Sequence, residues 1–280
     1  MNAYQIVGFP QILLCLFFFC LPADAQNAQT QNTFKVLGFY PPDEEDVAHR
    51  SFVNEAQDWL IKKGQERRFE YVWTNNLKYM NDSYLGRFDV VLFLNVRPEN
   101  QDQRDSFKRY MENGGAWMGF HYAGFAMTET NTPQNWDWYH NIFLGSGEFE
   151  ANTWKPTSAI LRMEAKHPAT RNIPKTFTSA PNEWYKWKND LTKNPDISIL
   201  ASIDPKSFPL GNGTEEGEIW YTGYYPVIWT NTKYKMLYFN MGHNDIDYEG
   251  GSLQTLSKTF ENEIQSQLIM DGLLWLGKKE

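Results

Sequence analysis

"FDVVLFLNVRPENQDQRDSFKRYMENGGAWMGFHYAG", residues 88–124, decides the architecture. Residues 88–95 carry a continuous apolar run, the mark of a strand covered on both faces. Residues 99–115 alternate polar and apolar side chains at helical spacing and stop at Gly114. "AWMGFH", residues 116–121, is apolar again up to a histidine. Strand, helix and strand in so short a span predict a parallel crossover unit.

The same alternation extends outward. "FKVLGFY" (34–40) reads as a first strand and "EEDVAHRSFVNEAQDWLIKKG" (44–64) as a helix stopped by Gly64. "RFEYVWT" (68–74) alternates as a strand does. Further strands are predicted at 158–164, 197–203, 226–230 and 235–241, and a closing helix over 253–277, with Leu256, Phe260, Ile264, Leu268 and Leu274 near one stripe. The expectation is a doubly wound, mostly parallel α/β sheet. Its ligand crevice lies at the carboxyl ends of the strands, which places Tyr40, Asn95 and His121 on the rim.

The N-terminus reads differently. "ILLCLFFFCL" (12–21) is apolar but too short to span a bilayer, and Ala23 and Ala25 give a small-residue cleavage pattern before Gln26. Residues 1–11 lack the usual Lys or Arg. The predicted organisation is a secretory signal peptide over 1–25, a polar linker over 26–33 and one domain over 34–280, with a periplasmic or secreted product that leaves the membrane once the signal is cleaved. Both cysteines, Cys15 and Cys20, fall in the leader, so the domain has no thiol chemistry. A net charge of −8 without a basic cluster argues against nucleic acid and anionic membranes as partners. Small neutral or cationic ligands fit that balance better, and the pattern specifies no oligomeric state. Aromatic residues make up 16% of the chain, enough to build both a core and a cleft that stacks on sugar faces.

Five histidines are the main carriers of chemistry. His49, beside Arg50 in a helix, is expected at the surface, and His167 before Pro168 in a turn. His140 in "WDWYHNIF" is either a cleft or a core residue. His121 and His243 each end an apolar strand, where imidazole can act as base, hydrogen-bond partner or metal ligand. Nearby carboxylates are Glu183, Asp245 and Asp247. Two histidines and a carboxylate are the minimum for a divalent metal, yet no HExxH pair, cysteine cluster or calcium loop is present, so no cofactor is expected on motif grounds. The plainer alternative is that these histidines hydrogen-bond loops at the sheet edge. "GFHYAG" has the outline of a nucleophile elbow with His121 at its centre.

In order and spacing, "FDVVLFLN", "YMENGGAWMGFHYAG", "WDWYHNIFLGSGEF", "HPAT", "NEWYKW", "PVIWTN" and "MLYFNMGHNDIDY" resemble the ThuA-like (trehalose utilization) family over residues 34–277. The resemblance implies a flavodoxin-like, class I glutamine amidotransferase-like fold with His121 at the amidotransferase cysteine position, which excludes glutamine hydrolysis by a thiol. It carries over His121 as the "GLHxA" histidine, Glu183 as the acid of "DExY", Trp229 of "PxxW" and His243 of "GHD". Asn182 and Asn244 stand where acids are usual, and "EFEAN" lacks a histidine often found there.

The function expected is an exported enzyme acting on a sugar or modified glycoside, with His121 as general acid or base, Glu183 as its carboxylate partner and His243 orienting substrate. Trp136, Trp138, Trp184 and Trp229 would form a stacking platform, with Tyr122, Tyr185, Asn244 and Asp245 completing a saccharide site. The alternatives are a non-catalytic carbohydrate-binding module of the same fold, or a structural partner within a periplasmic complex.

Overall fold

The computed structural model describes residues 34–42, 47–127, 135–153, 156–211, 219–243 and 257–278. The leader and linker lie outside these residues. Chain order runs β1 (Phe34–Phe39), α1 (Val47–Arg67), β2 (Phe69–Thr74), α2 (Asp82–Leu85), β3 (Val90–Leu94), α3 (Gln101–Glu112) and β4 (Ala116–Phe120). Then follow β5 (Phe149–Asn152), β6 (Ile160–Met163), β7 (Thr176–Thr178), β8 (Tyr185–Trp187), β9 (Ile197–Ile203), β10 (Pro226–Asn231), β11 (Lys235–Phe239) and α4 (Glu263–Gly277).

Nine strands form one sheet in the order β2-β1-β3-β4-β11-β10-β9-β6-β7, and β5 pairs with β8 apart from it. The half from β2 to β11 is parallel, as the doubly wound reading requires, and β10, β9, β6 and β7 extend it antiparallel. β3 and β4 are buried at every residue, because alternate side chains enter two different cores. Val90, Leu92, Leu94, Met118 and Phe120 pack with α1 and α4 on one face. Val91, Phe93 and Trp117 pack with Phe107, Tyr110 and Met111 of α3 and with Tyr139 and Phe143 on the other.

Helix ends differ from the sequence reading where tertiary contacts decide them. α1 runs through Gly64 to Arg67, and the left-handed turn that ends it is Arg68 (φ 62°). Gly64 is instead a packing position, where a Cβ would sit 2.9 Å from the Phe69 carbonyl oxygen. α3 starts at a capping box in which the Asn100 side chain and Gln103 side chain each accept from the other's backbone N–H. The closing helix begins only at Glu263, capped by Asn262. Ahead of it, the Glu55 carboxylate accepts from the backbone N–H groups of Thr259 (3.0 Å) and Phe260 (2.8 Å), which holds the segment out of helix and inserts Phe260 against Phe52 and Trp59. Leu256 lies outside the described residues, and Ile264, expected in the apolar stripe, is exposed.

Candidate functional site

The parallel strands deliver their carboxyl ends to one edge. β1 leads into α1, whose first turn carries His49; β3 ends at Asn95; β4 ends at His121; and β11 continues through Gly242 to His243. Strand order reverses between β1 and β3, the switch point at which sheets of this kind open a crevice. Glu183 arrives from the other side, just before β8, and its backbone N–H donates to the His243 carbonyl at 2.8 Å.

Two of these strand ends are in the left-handed region, Asn95 at φ 55° and His121 at φ 42°. Each such residue costs on the order of 1–3 kcal/mol unless its surroundings hold it there. Asn95 donates through Nδ2 to the Gly242 carbonyl (2.7 Å), and its Oδ1 accepts from the Tyr122 N–H (3.4 Å). The Tyr238 hydroxyl donates to the His121 carbonyl (2.7 Å). Gly242 (φ 135°) lies against both, with room for a Cβ only 3.2 Å from Asn95 Oδ1 and 3.3 Å from His121 Cβ. The sharp turn aims the His121 imidazole at Glu183, the geometry expected of an elbow.

Glu183 is the hub. Its Oε2 hydrogen-bonds His243 Nδ1 and stands 3.4 Å from His121 Nε2, while Oε1 accepts from the Asn152 amide. His121 is fully buried with its ring 3.8 Å from that of Tyr185, and among the described residues its Nδ1 has no hydrogen-bond partner. Burial opposes charge on His121 more strongly than the Glu183 carboxylate favours it, so its pKa falls to about 3 and the ring is neutral. Burial also works against the Glu183 anion, but hydrogen bonds and charge from His121 and His243 outweigh it and hold the carboxyl well below the usual range. A carboxylate fixed as an anion beside an imidazole stabilises the imidazolium that forms when the ring takes up a proton.

His49 joins this group, against the expectation that it is a surface residue. It is buried, with its ring 4.7 Å from that of His243 and 5.6 Å from that of His121. The signal was present in the sequence: at helical spacing His49 shares a face with the apolar Phe52, Val53 and Ala56. Ligand nitrogens of His49, His121 and His243 all lie within 4.8 Å of one another, a set able to hold a divalent cation.

The tryptophan platform does not form. Trp184 and Trp229 are fully buried, the first donating through Nε1 to the Thr157 carbonyl and the second to that of Leu144. Trp138 is buried as well, donating to the Tyr234 hydroxyl, and of the four only Trp136 is part exposed. These rings fill the two faces of a wide sheet, and the indole N–H groups of Trp184 and Trp229 satisfy backbone carbonyls. Tyr122 is half-buried against His49, whereas Tyr185 is buried and serves to hold His121. Asn244 and Asp245 lie outside the described residues. His140 is a buried residue, with Nδ1 2.9 Å from the Trp136 N–H. Asn182 bridges strand ends: Oδ1 accepts from the Gly242 N–H (3.2 Å) and Nδ2 donates to the Ala180 carbonyl (2.9 Å), a pairing an aspartate cannot make.

A family model described as trehalose utilisation, ThuA, matches residues 42–276. Among solved structures, the chain is similar to a protein of Bacteroides uniformis described as ThuA-like, at 31% identity over 91% of this chain and 96% of that one, with a TM-score of 0.78. It is similar in fold to a ThuA-like protein of Parabacteroides merdae at 15% identity, covering 88% of this chain and 90% of that one, TM-score 0.59. A glutaminase domain of Trypanosoma brucei CTPS lies further off, at 9% identity over 88% of this chain and 94% of that one, TM-score 0.45. No curated protein matches the sequence.

Proposed function

This chain belongs to the ThuA, or trehalose utilisation, family, and we propose that it is an exported enzyme that acts on a sugar or modified glycoside by proton transfer between histidine and glutamate. The observation that carries this reading is the convergence of His121, Glu183 and His243, from three distant parts of the chain, on one buried point. In it His121, neutral and held by Tyr185 and the elbow, takes the substrate proton. Glu183 stabilises the imidazolium that results, and His243 fixes the carboxylate. Proton transfer by a positioned group contributes on the order of 10²–10⁴ in rate. The position occupied by a nucleophilic cysteine in amidotransferases holds an imidazole, so the chemistry is not acyl transfer to sulfur. Export is supported by the apolar run and the small-residue cleavage pattern before Gln26. Among the described residues no helix is long and apolar enough to cross a membrane.

The test is product formation from a panel of disaccharides, glycosides and their oxidised forms. Turnover by the wild type and its loss in His121→Ala and Glu183→Gln support the enzyme. Saccharide binding without product in all three supports the carbohydrate-binding module instead. A second reading of the same site is favoured by the three imidazoles: His49, His121 and His243 would hold a divalent transition metal, which would supply Lewis acidity. Zinc or manganese added to metal-free protein would then raise the unfolding temperature, and His49→Ala would abolish the rise. Unchanged unfolding with every cation tried removes that reading.

A further inference from the structure

The wall beside the histidines is cationic. Arg97, two residues past Asn95, lays its guanidinium on Tyr122 with Cζ 4.5 Å from the ring centroid, and on Phe125 at 5.9 Å. The same Tyr122 ring meets His49 at 5.4 Å, so a single aromatic ring separates Arg97 from the histidine cluster. Arg97 Nη1 is buried and has no hydrogen-bond partner among the described residues. His140 is 1% exposed; its Nδ1 lies 2.9 Å from the Trp136 nitrogen and 3.1 Å from the Trp136 carbonyl oxygen, and its Nε2 is buried and likewise without a partner among the described residues. Arg104 adds a second guanidinium, 5.9 Å from the Trp136 ring. The side-chain charges that act on His140 are those of Arg97 and Arg104, both positive. Glu148 accepts from Asn135 (2.8 Å) and Lys188 (2.8 Å).

A buried polar atom without a partner is costly and uncommon, and Arg97 Nη1 and His140 Nε2, the latter under the charge of two guanidiniums, mark a place where a ligand's polar group belongs. The guanidinium fork suits a carboxylate or phosphate, which takes two parallel N–H bonds. We propose that Arg97 and His140, with Arg104 adding charge, receive an anionic group, and that the molecule handled at the Glu183 site is a sugar bearing a carboxylate or a phosphate ester. The inference rests on the carbohydrate reading above and narrows its substrate class. It also revises the preference for neutral or cationic ligands drawn from net charge alone: the chain as a whole is acidic, but this wall is not.

Calorimetric titration with matched ligands tests it: a neutral hexose, the corresponding uronate, the hexose 6-phosphate, and inorganic phosphate or acetate alone. The wild type is expected to bind an acidic sugar about 10- to 100-fold more tightly than the neutral one, the range of one charge-assisted hydrogen-bond pair. Arg97→Gln should erase that preference, and Arg97→Lys, which keeps a cation over Tyr122, should restore part of it. Whether uronate or phosphate carries the preference identifies the anion. Equal binding of neutral and acidic sugars, or a preference that survives in Arg97→Gln, overturns the proposal and leaves the carbohydrate reading standing. Phosphate or acetate binding that depends on Arg97, with no sugar bound at all, keeps the anion site and overturns the carbohydrate reading.

Discussion

Glu183→Gln is the perturbation whose magnitude follows most directly from the structure. The side chain is 10% exposed, and its two oxygens serve different partners: Oε1 accepts from Asn152, and Oε2 accepts from His243 while facing His121. Glutamine has the same shape and its carbonyl can still accept from Asn152. Its amide NH₂, however, replaces the acceptor toward His243, and the charge facing two imidazoles is gone. One charge-assisted hydrogen bond in a buried site contributes about 1.5–3 kcal/mol. In a domain of this size that is a fall of about 3–12 °C in the unfolding midpoint. The assay is urea unfolding followed by fluorescence, with an unchanged slope showing that the same surface unfolds. A cycle with His243→Gln isolates the pair, and a coupling of at least about 1 kcal/mol is expected. A midpoint unmoved within about 0.5 kcal/mol, with additive single variants, would refute the claim that this carboxylate is the hub of the site.

Other consequences can be measured in the same way. His140 is held neutral, its pKa pushed down to about 3 chiefly by burial and then by Arg97, so its contribution to stability is complete above the ordinary histidine value near 6.5 and is lost as pH falls from there toward 3. His140→Gln should therefore flatten stability between pH 6.5 and 4 by up to about 1.4 kcal/mol per pH unit, and equal slopes would contradict the neutral buried ring. Gly119→Ala places a Cβ 2.0 Å from the Trp117 ring inside β4, and is expected to lose about 1–3 kcal/mol by denaturation. Glu55→Ala strands the buried N–H groups of the 259–260 segment and should cost at least about 2 kcal/mol, with faster hydrogen exchange at Thr259 and Phe260.

The parallel half of the sheet was legible because each strand there is a short apolar run followed by an amphipathic helix, and both periodicities survive in linear sequence. β9 spans 197–203 as its sequence pattern predicts. β5, β7 and β8 were not legible: at three or four residues each they are too short to show a period, and register with neighbours defines them. α4 was predicted to take in 257–262, which lie ahead of the helix, since nothing local reveals that Glu55, some two hundred residues earlier, captures the backbone at 259–260. The convergence of His121 and His243 was inferable from strand ends, whereas His49 was missed because a charged neighbour was given more weight than its helical face. The tryptophans misled because size and aromaticity do not distinguish a sugar platform from a core. Trp184 and Trp229 were core.

The central claim is that one buried histidine–glutamate centre works on a carbohydrate, and the most direct measurement is turnover by wild type and His121→Ala on the saccharide panel, with products read by mass spectrometry. The account predicts a product from the wild type that forms at least about 10²-fold more slowly in the variant, with both proteins folded to the same degree. Equal rates in the two proteins, or no product from any sugar with the wild type, would contradict it.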